Sequence, residues 1–277
     1  MFVNTREMLL DAHEKHYAIP SPDYYDSHSI RACMKVAEEL NQPVILAYAQ
    51  AHAAMMSMEE AVAFAKLYGE NSPVPVALHL DHGQDRDFIL KAIDMGFTSV
   101  MIDASSKPFE ENVALTREIV LAAHKKDISV EAEIGHVGTG DSYSDAGHGD
   151  TIYTEVDKAA EFVMETGVDS LAVSIGTAHG KYKGTPVINF DRLHELSAAI
   201  RIPLVLHGGS SSGDANLERC ATEGINKINI FTDLAEADMN GYLSCKDGSS
   251  LYDRLFAGEE GLEAVLRRYY HVFHCDR

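Results

Sequence analysis

The chain has 277 residues, with 43 acidic side chains against 23 basic ones, so its formal net charge is −20 with histidine neutral. At 45% hydrophobic and 24% charged it has the make-up of a folded globular protein, which excludes disordered and fibrous classes. The negative field argues against nucleic acid and anionic membrane as partners, since both repel it, but it leaves room for a small phosphorylated ligand held by a local positive site.

The opening Met1-Phe2-Val3-Asn4-Thr5-Arg6-Glu7 does not read as a signal peptide, because no basic start feeds an apolar run. No stretch approaches the roughly 18–20 consecutive apolar residues of a membrane span. Residues 4–15 read as a helix ahead of the first strand. Strands are expected at 18–22, 44–49, 76–82, 99–103, 129–134, 170–176, 203–207 and 227–231. Most carry Val, Ile and Leu on both parities, as strands covered on both faces do. Helices are expected between them at 27–40, 58–68, 87–95, 110–126, 155–166, 191–200 and 215–222, and 234–244 and 262–273 close the chain. Ser27 is the cap candidate of the first of these, and Gly69, Gly96, Gly167 and Gly224 stand where helices stop.

Eight strands alternating with helices predict an α/β fold, a (β/α)8 TIM barrel of a single domain over 1–277. An open doubly wound sheet is the rival, but no GxGxxG follows the first strand. The glycine-rich stretch at about 135–151 is expected to be a mobile active-site loop. Cys33, Cys220, Cys245 and Cys275 show no CxxC and no close pairing, so reduced thiols and a cytoplasmic location are expected.

In such a barrel the chemistry gathers at the C-terminal ends of the strands. There the sequence places His79-Leu80-Asp81-His82-Gly83, Asp103, Glu131-Ala132-Glu133, Ile175-Gly176-Thr177-Ala178-His179-Gly180, Leu206-His207-Gly208-Gly209-Ser210 and Asn229-Ile230-Phe231-Thr232-Asp233. His82, His179 and His207, each beside a glycine at a different strand end, are candidate ligands of one metal ion, because three protein ligands with an open position are the catalytic zinc pattern. Asp103 and Glu133 are alternate ligands, orienters of the histidines, or an ion-paired rim. His79 shares a strand face with Asp81 and is either a partner of that site or a packed barrel residue. Asp81, next to a ligand, is the acid/base candidate. The Gly208-Gly209-Ser210-Ser211-Ser212 turn before a helix is a phosphate cradle candidate, with residues 229–232 beside it and Gly180, Lys183 and Gly184 closing it.

Together these motifs resemble the class II, metal-dependent, fructose-bisphosphate/tagatose-bisphosphate aldolase family, from about residue 3 to about residue 245. The long run Ala172-Val173-Ser174-Ile175-Gly176-Thr177-Ala178-His179-Gly180-Lys181-Tyr182-Lys183-Gly184 is its most specific carrier. The resemblance implies an aldolase that cleaves a ketose (bis)phosphate to dihydroxyacetone phosphate and an aldehyde. It implies Zn2+ on His82, His179 and His207, with Asp103 and Glu133 at positions that approach metal, and a monovalent cation (Na+ or K+) near the phosphate. It assigns acid/base work to Asp81 and carbon-bound proton exchange to the loop carboxylate Asp141, with Asn229 steadying the enediolate. It assigns phosphate binding to Gly180, Gly208, Gly209, Ser210, Asn229, Ile230, Phe231 and Thr232, and suggests a homodimer or homotetramer.

Departures fall in the half that selects the aldehyde. Ser21-Pro22-Asp23-Tyr24 replaces the usual Phe-Asn, and Ala47-Tyr48-Ala49-Gln50 the usual Ser or Thr. Phe231 replaces a small or acidic residue, and only Arg267 and Arg268 are candidates to receive a distal phosphate. Three rivals remain: a Schiff-base aldolase, a metal-dependent hydrolase on the same barrel and a non-catalytic phosphosugar-binding relative. The first needs a desolvated lysine, and Lys181, Lys183 and Lys227 read as unburied.

Overall fold

A computed structural model describes residues 2–135, 153–180 and 186–276. The strands are β1 (Ile19–Pro22), β2 (Val44–Ala49), β3 (Val76–Gly83), β4 (Ser99–Ile102), β5 (Ser129–Ile134), β6 (Ser170–Val173), β7 (Leu204–Leu206) and β8 (Ile225–Ile230). Ahead of and between them run α1 (Arg6–Lys15), α2 (Ser27–Leu40), α3 (Met58–Gly69), α4 (Arg86–Met95), α5 (Phe109–His124), α6 (Val156–Thr166), α7 (Phe190–Ala199) and α8 (Asp214–Glu223). The pair α9 (Thr232–Ser244) and α10 (Leu251–Val272) ends the fold.

All strand pairs are parallel, in the order β1-β8-β7-β6-β5-β4-β3-β2. The remaining gap is bridged where Asp23 pairs with Ala47 and the Tyr24 N–H donates to the Ala47 carbonyl at 3.1 Å. The result is the (β/α)8 TIM barrel expected from the alternation. Every strand is buried along its whole length apart from His82. This explains the apolar residues on both parities, since one face packs inside the barrel and the other beneath the helices.

Three local differences from the sequence expectation have clear causes. The cap of α2 is Asp26, not Ser27: its carboxylate accepts from the His28 and Ser29 N–H groups, and the Ser29 hydroxyl completes a capping box. Gly69 does not end its helix in a left-handed turn. It closes α3 against Phe2 and Val76, where an added Cβ would lie 3.1 and 3.3 Å from their side chains. Helix α10 begins eleven residues before the expected 262, although Gly258 and Gly261 lie inside it. Those glycines lower helix propensity but let α9 and α10 cross closely. A Cβ at Gly258 would meet Asp238 Oδ1 at 2.2 Å, and one at Gly261 the Ala237 carbonyl at 2.5 Å.

Period-two alternation decides which side chains enter the barrel. It turns His79 and Asp81 of β3, Glu131 and Glu133 of β5, and Lys227 and Asn229 of β8 inward, so the interior is polar and arranged in tiers. At the bottom, the Thr5 N–H donates to Ser129 Oγ at 3.1 Å, the Thr5 and Ser129 hydroxyls are 2.7 Å apart, and Ser99 Oγ lies 2.8 Å from His79 Nδ1. In the middle, Lys227 Nζ donates to Glu131 Oε2 at 2.8 Å and approaches His79 Nε2 at 3.4 Å. At the top, Asn229 Nδ2 donates to Asp81 Oδ1 at 2.8 Å.

Candidate metal centre and active site

Strict alternation would send Asp81 and His82 to opposite faces of β3. A register shift between Leu80 and Gly83 and a left-handed backbone at His82 (φ 45°) break the alternation. This bulge turns both consecutive side chains into the barrel mouth, a strained arrangement of a kind found next to active sites. Gly83 makes it possible: a Cβ there would lie 2.5 Å from the Met101 carbonyl. Beyond β6 and β7, a similar close approach joins the other two histidines. Gly208 (φ 68°) lies so near the Ala178 carbonyl that a Cβ would be 2.3 Å away, and Thr177 Oγ1 donates to the His207 carbonyl at 2.8 Å.

These three turns bring His82, His179 and His207 together, with candidate ligand atoms within 4.8 Å of one another. The ring centroids are 4.9, 4.4 and 6.0 Å apart. His82, Asp103 and Glu133 form a second group within the same 4.8 Å, so both carboxylates stand beside the imidazoles.

The donor set fits a divalent ion. His82 Nδ1–H donates to Asp103 Oδ2 at 3.0 Å, which leaves the buried His82 Nε2 without a hydrogen-bond partner among the described residues. His207 Nε2–H donates to Glu131 Oε1 at 2.9 Å, which leaves the buried Nδ1 in the same state. Carboxylates on the outer nitrogens fix ring and tautomer, as they do for metal-ligating histidines. Burial, followed by the neighbouring His82 charge, keeps the His207 imidazole well below its ordinary pKa, in the neutral form a metal takes. His82 goes the other way, to about 10: burial opposes a proton there, but Asp81, Asp103 and Glu133 outweigh it. A proton on His82 is therefore the charge that this acidic pocket draws in when no ion is bound.

A cavity of about 570 Å³ opens over these groups. Asp81, Asp103, Glu133, the three histidines, Gly180, Gly208, Ser210, Asn229, Ile230, Phe231 and Thr232 line it. Gly209 lies behind this wall, with a Cβ position 2.5 Å from the Ile228 side chain. Ser210 Oγ accepts from the Phe231 and Asp233 N–H groups at 3.3 and 3.2 Å. Asp233 in turn accepts from the Ser211 N–H at 3.1 Å and from the Tyr269 hydroxyl. The glycine-serine turn is thus braced against the start of α9 and by α10. Asp141 and Lys183 lie outside the described residues.

The departure Ser21-Pro22-Asp23-Tyr24 carried no role for Asp23 in the sequence. Asp23 closes the barrel beside β2 and lines the cavity, buried, with Oδ1 lacking a hydrogen-bond partner among the described residues. Its position just past the end of β1 was the available signal. Burial and then the Asp81 charge hold its carboxyl well above the ordinary range. For Asp81, burial pushes upward too, but His82, His207 and Lys227 pull its pKa below the ordinary value. The environment moves the two carboxyls in opposite directions, Asp23 up and Asp81 down. Lys227 corrects the expectation that no candidate lysine is buried. Strand β8 starts at Ile225, so Lys227 sits inside it, fully buried and paired with Glu131, and it does not line the cavity. Arg267 pairs with Glu39 and Glu263, and Arg268 stands 3.8 Å from both Asp214 and Asp233; neither lines this chain's cavity.

A (β/α)8 barrel with imidazoles and carboxylates gathered at its mouth, beside a braced glycine-serine turn, places a candidate metal centre where barrel enzymes carry their active sites. A family model described as "Fructose-bisphosphate aldolase class-II" matches residues 3–277, and the chain belongs to that family. It is a class II ketose-bisphosphate aldolase, and zinc dependence is general in the family. The chain is 34% identical over 278 residues to the D-tagatose-1,6-bisphosphate aldolase subunit GatY of Klebsiella oxytoca, covering 99% of this chain and 98% of that one. The crystal structure of the YdjI aldolase of Escherichia coli K12 superposes with a TM-score of 0.90 at 34% identity, over 100% of this chain and 98% of that one. The fructose-bisphosphate aldolase (Fba) of Campylobacter jejuni shares the fold at 23% identity, with a TM-score of 0.81 over 99% and 96% of the two chains. Neither the hydrolase nor the non-catalytic alternative finds support in these similarities.

Proposed function

We propose that the chain binds one Zn2+ through His82, His179 and His207 and reversibly cleaves a ketose 1,6-bisphosphate to dihydroxyacetone phosphate and an aldehyde. The convergence of three imidazoles beside the ionised Asp81 carries the proposal. Bound zinc supplies Lewis-acid stabilisation of negative charge on substrate oxygens. Asp81 takes the hydroxyl proton from the carbon that becomes the aldehyde, and the Asn229 amide holds the Asp81 carboxylate in place for that transfer. Asn229, which lines the cavity, also steadies the ketone-derived half by hydrogen bonding. Gly180, Gly208, Gly209, Ser210 and the segment Ile230, Phe231, Thr232 hold the phosphate and fix the substrate in register. Asp141 returns the proton to carbon and Lys183 helps to close the phosphate site; both assignments rest on the resemblance of their motifs.

Asp103 orients His82, and Glu133 is an alternate ligand. Asp103→Asn is therefore expected to weaken zinc binding by roughly 10–100-fold, as loss of a ligand-orienting carboxylate does. Competition against a chromophoric chelator measures this, and an unchanged dissociation constant removes Asp103 from the role.

Tagatose 1,6-bisphosphate is the first substrate to test, because the chain resembles GatY over its whole length; fructose 1,6-bisphosphate is the second. The deciding experiment is a screen of ketose phosphates with added Zn2+, followed by mass spectrometry of the aldehyde fragment. No cleavage of any ketose phosphate by the zinc-loaded protein would overturn the proposal. A Na+ or K+ ion near the phosphate, a cytoplasmic location and a homodimer or homotetramer complete it. The exposed Met239, Leu243, Leu251, Tyr252 and Phe256 on the α9–α10 pair are the apolar surface that supports self-association.

A further inference from the structure

Beneath the three imidazoles lies a second group with metal-ligand geometry. His79, Asp81 and Glu131, all buried, offer ligand atoms within 4.8 Å of one another. His79 Nε2 is 3.9 Å from Asp81 Oδ1 and 3.8 Å from Glu131 Oε2. One imidazole and two carboxylates are a donor set that takes Zn2+ and similar ions. A side chain of this same chain already fills it. Lys227, fully buried, reaches across the barrel and places Nζ 2.8 Å from Glu131 Oε2 and 3.4 Å from His79 Nε2.

We propose that Lys227 is a built-in counter-cation that occupies this inner cluster, excludes a divalent ion from it and so confines the metal to His82, His179 and His207. The inference rests on the reading of those three histidines as the zinc site. Two consequences make Lys227 a positioning residue for the reaction. Glu131 divides its oxygens, Oε2 to Lys227 and Oε1 to His207 Nε2, so the ammonium anchors the carboxylate that turns His207 Nδ1 toward the outer cluster. An ion in the inner cluster would also take Asp81 as a ligand and remove the carboxylate needed for proton transfer. An ammonium at that place leaves Asp81 with Asn229 as its one side-chain hydrogen-bond partner among the described residues, and with the His79 and His82 rings no nearer than 3.9 Å.

Metal content at saturating Zn2+ or Cd2+, read with anomalous diffraction, tests this. Wild-type protein is expected to hold one ion per chain, at the outer cluster. Lys227→Met is expected to hold two, the second among His79, Asp81 and Glu131, and to lose activity as free zinc rises. Lys227→Met/Glu131→Gln, which dismantles the inner donor set, is expected to return to one. An ion in the inner cluster with Lys227 in place, or folded Lys227→Met protein that still binds one ion in excess metal, overturns the inference. If Lys227→Met does not accumulate in folded form, refolding with Zn2+ to a two-ion protein supports it. Failure to refold with Zn2+ while the double variant folds overturns it. If neither variant folds, the wild-type diffraction decides. Wild-type protein with no ion on His82, His179 and His207 is a separate outcome, which sinks the zinc reading itself.

Discussion

His82→Ala protein is expected to lose its zinc, from one ion per chain to almost none, and its aldol cleavage with it. The alanine removes one of three convergent ligands and leaves Asp81, Asp103 and Glu133 facing one another in a buried pocket. The group that balanced them, as a ligand of the ion or as a protonated ring, is then gone. If the ion supplies about 4 kcal/mol of transition-state stabilisation, its loss costs on the order of 10³-fold in kcat/KM. Thermal stability gives a second readout. A ligand that binds only the native state raises the melting temperature, so a chelator should lower that of the wild type and leave His82→Ala unmoved. Metal analysis of purified protein checks the prediction directly, and undiminished zinc in the variant would remove His82 from the ligand set.

Asp81→Ala is the complementary case. It is expected to keep its zinc yet lose cleavage by roughly 10²–10⁴-fold, the usual contribution of a positioned acid or base. Asp81 lies 3.9 Å from His82 Nε2, close enough to favour a cation there, but neither His82 nor His207 depends on it for orientation. Those rings are held by Asp103 and Glu131 instead. The cost falls on proton transfer and on Asn229, whose amide loses its acceptor. Solvent exchange of the carbon-bound proton of dihydroxyacetone phosphate, assigned to Asp141, should survive in this variant. Zinc content, cleavage rate and exchange rate measured on one preparation separate the roles. Full cleavage by Asp81→Ala would end its assignment, and loss of metal would recast it as a ligand.

Much of the frame is legible in the linear order of residues. The bounds of β2 and β5 and of α2 agree residue for residue with the periodicity of 44–49, 129–134 and 27–40. Parallel strands buried on both faces leave apolar runs, and amphipathic helices leave a 3.6-residue stripe, so both are local signals. Glycines misled wherever their reason was tertiary. Gly69 packs on Phe2, and Gly258 and Gly261 let α10 lie on α9, so the start of α10 was missed.

The site divides in the same way. That His82, His179 and His207 belong at one rim follows from the rule that strand ends of a barrel share a face, and the rule needs only the order of strands. The bulge that turns Asp81 and His82 to the same side depends on the register of β3 against β4, which alternation along one strand does not contain. The burial of Lys227 and its pairing with Glu131, 96 residues away, depend on barrel closure. So does the cavity position of Asp23, set by the bridge between β1 and β2. Sequence alone determined the element order, the barrel and the residue types at its mouth, because these follow from local periodicity and a fixed chain direction. Tertiary structure alone decided which nitrogen of the His82 and His207 rings meets a carboxylate and in which direction burial and neighbouring charge move the Asp23 and Asp81 carboxyls. It also decided which lysine is buried, because these depend on distances between groups that only the closed barrel brings together.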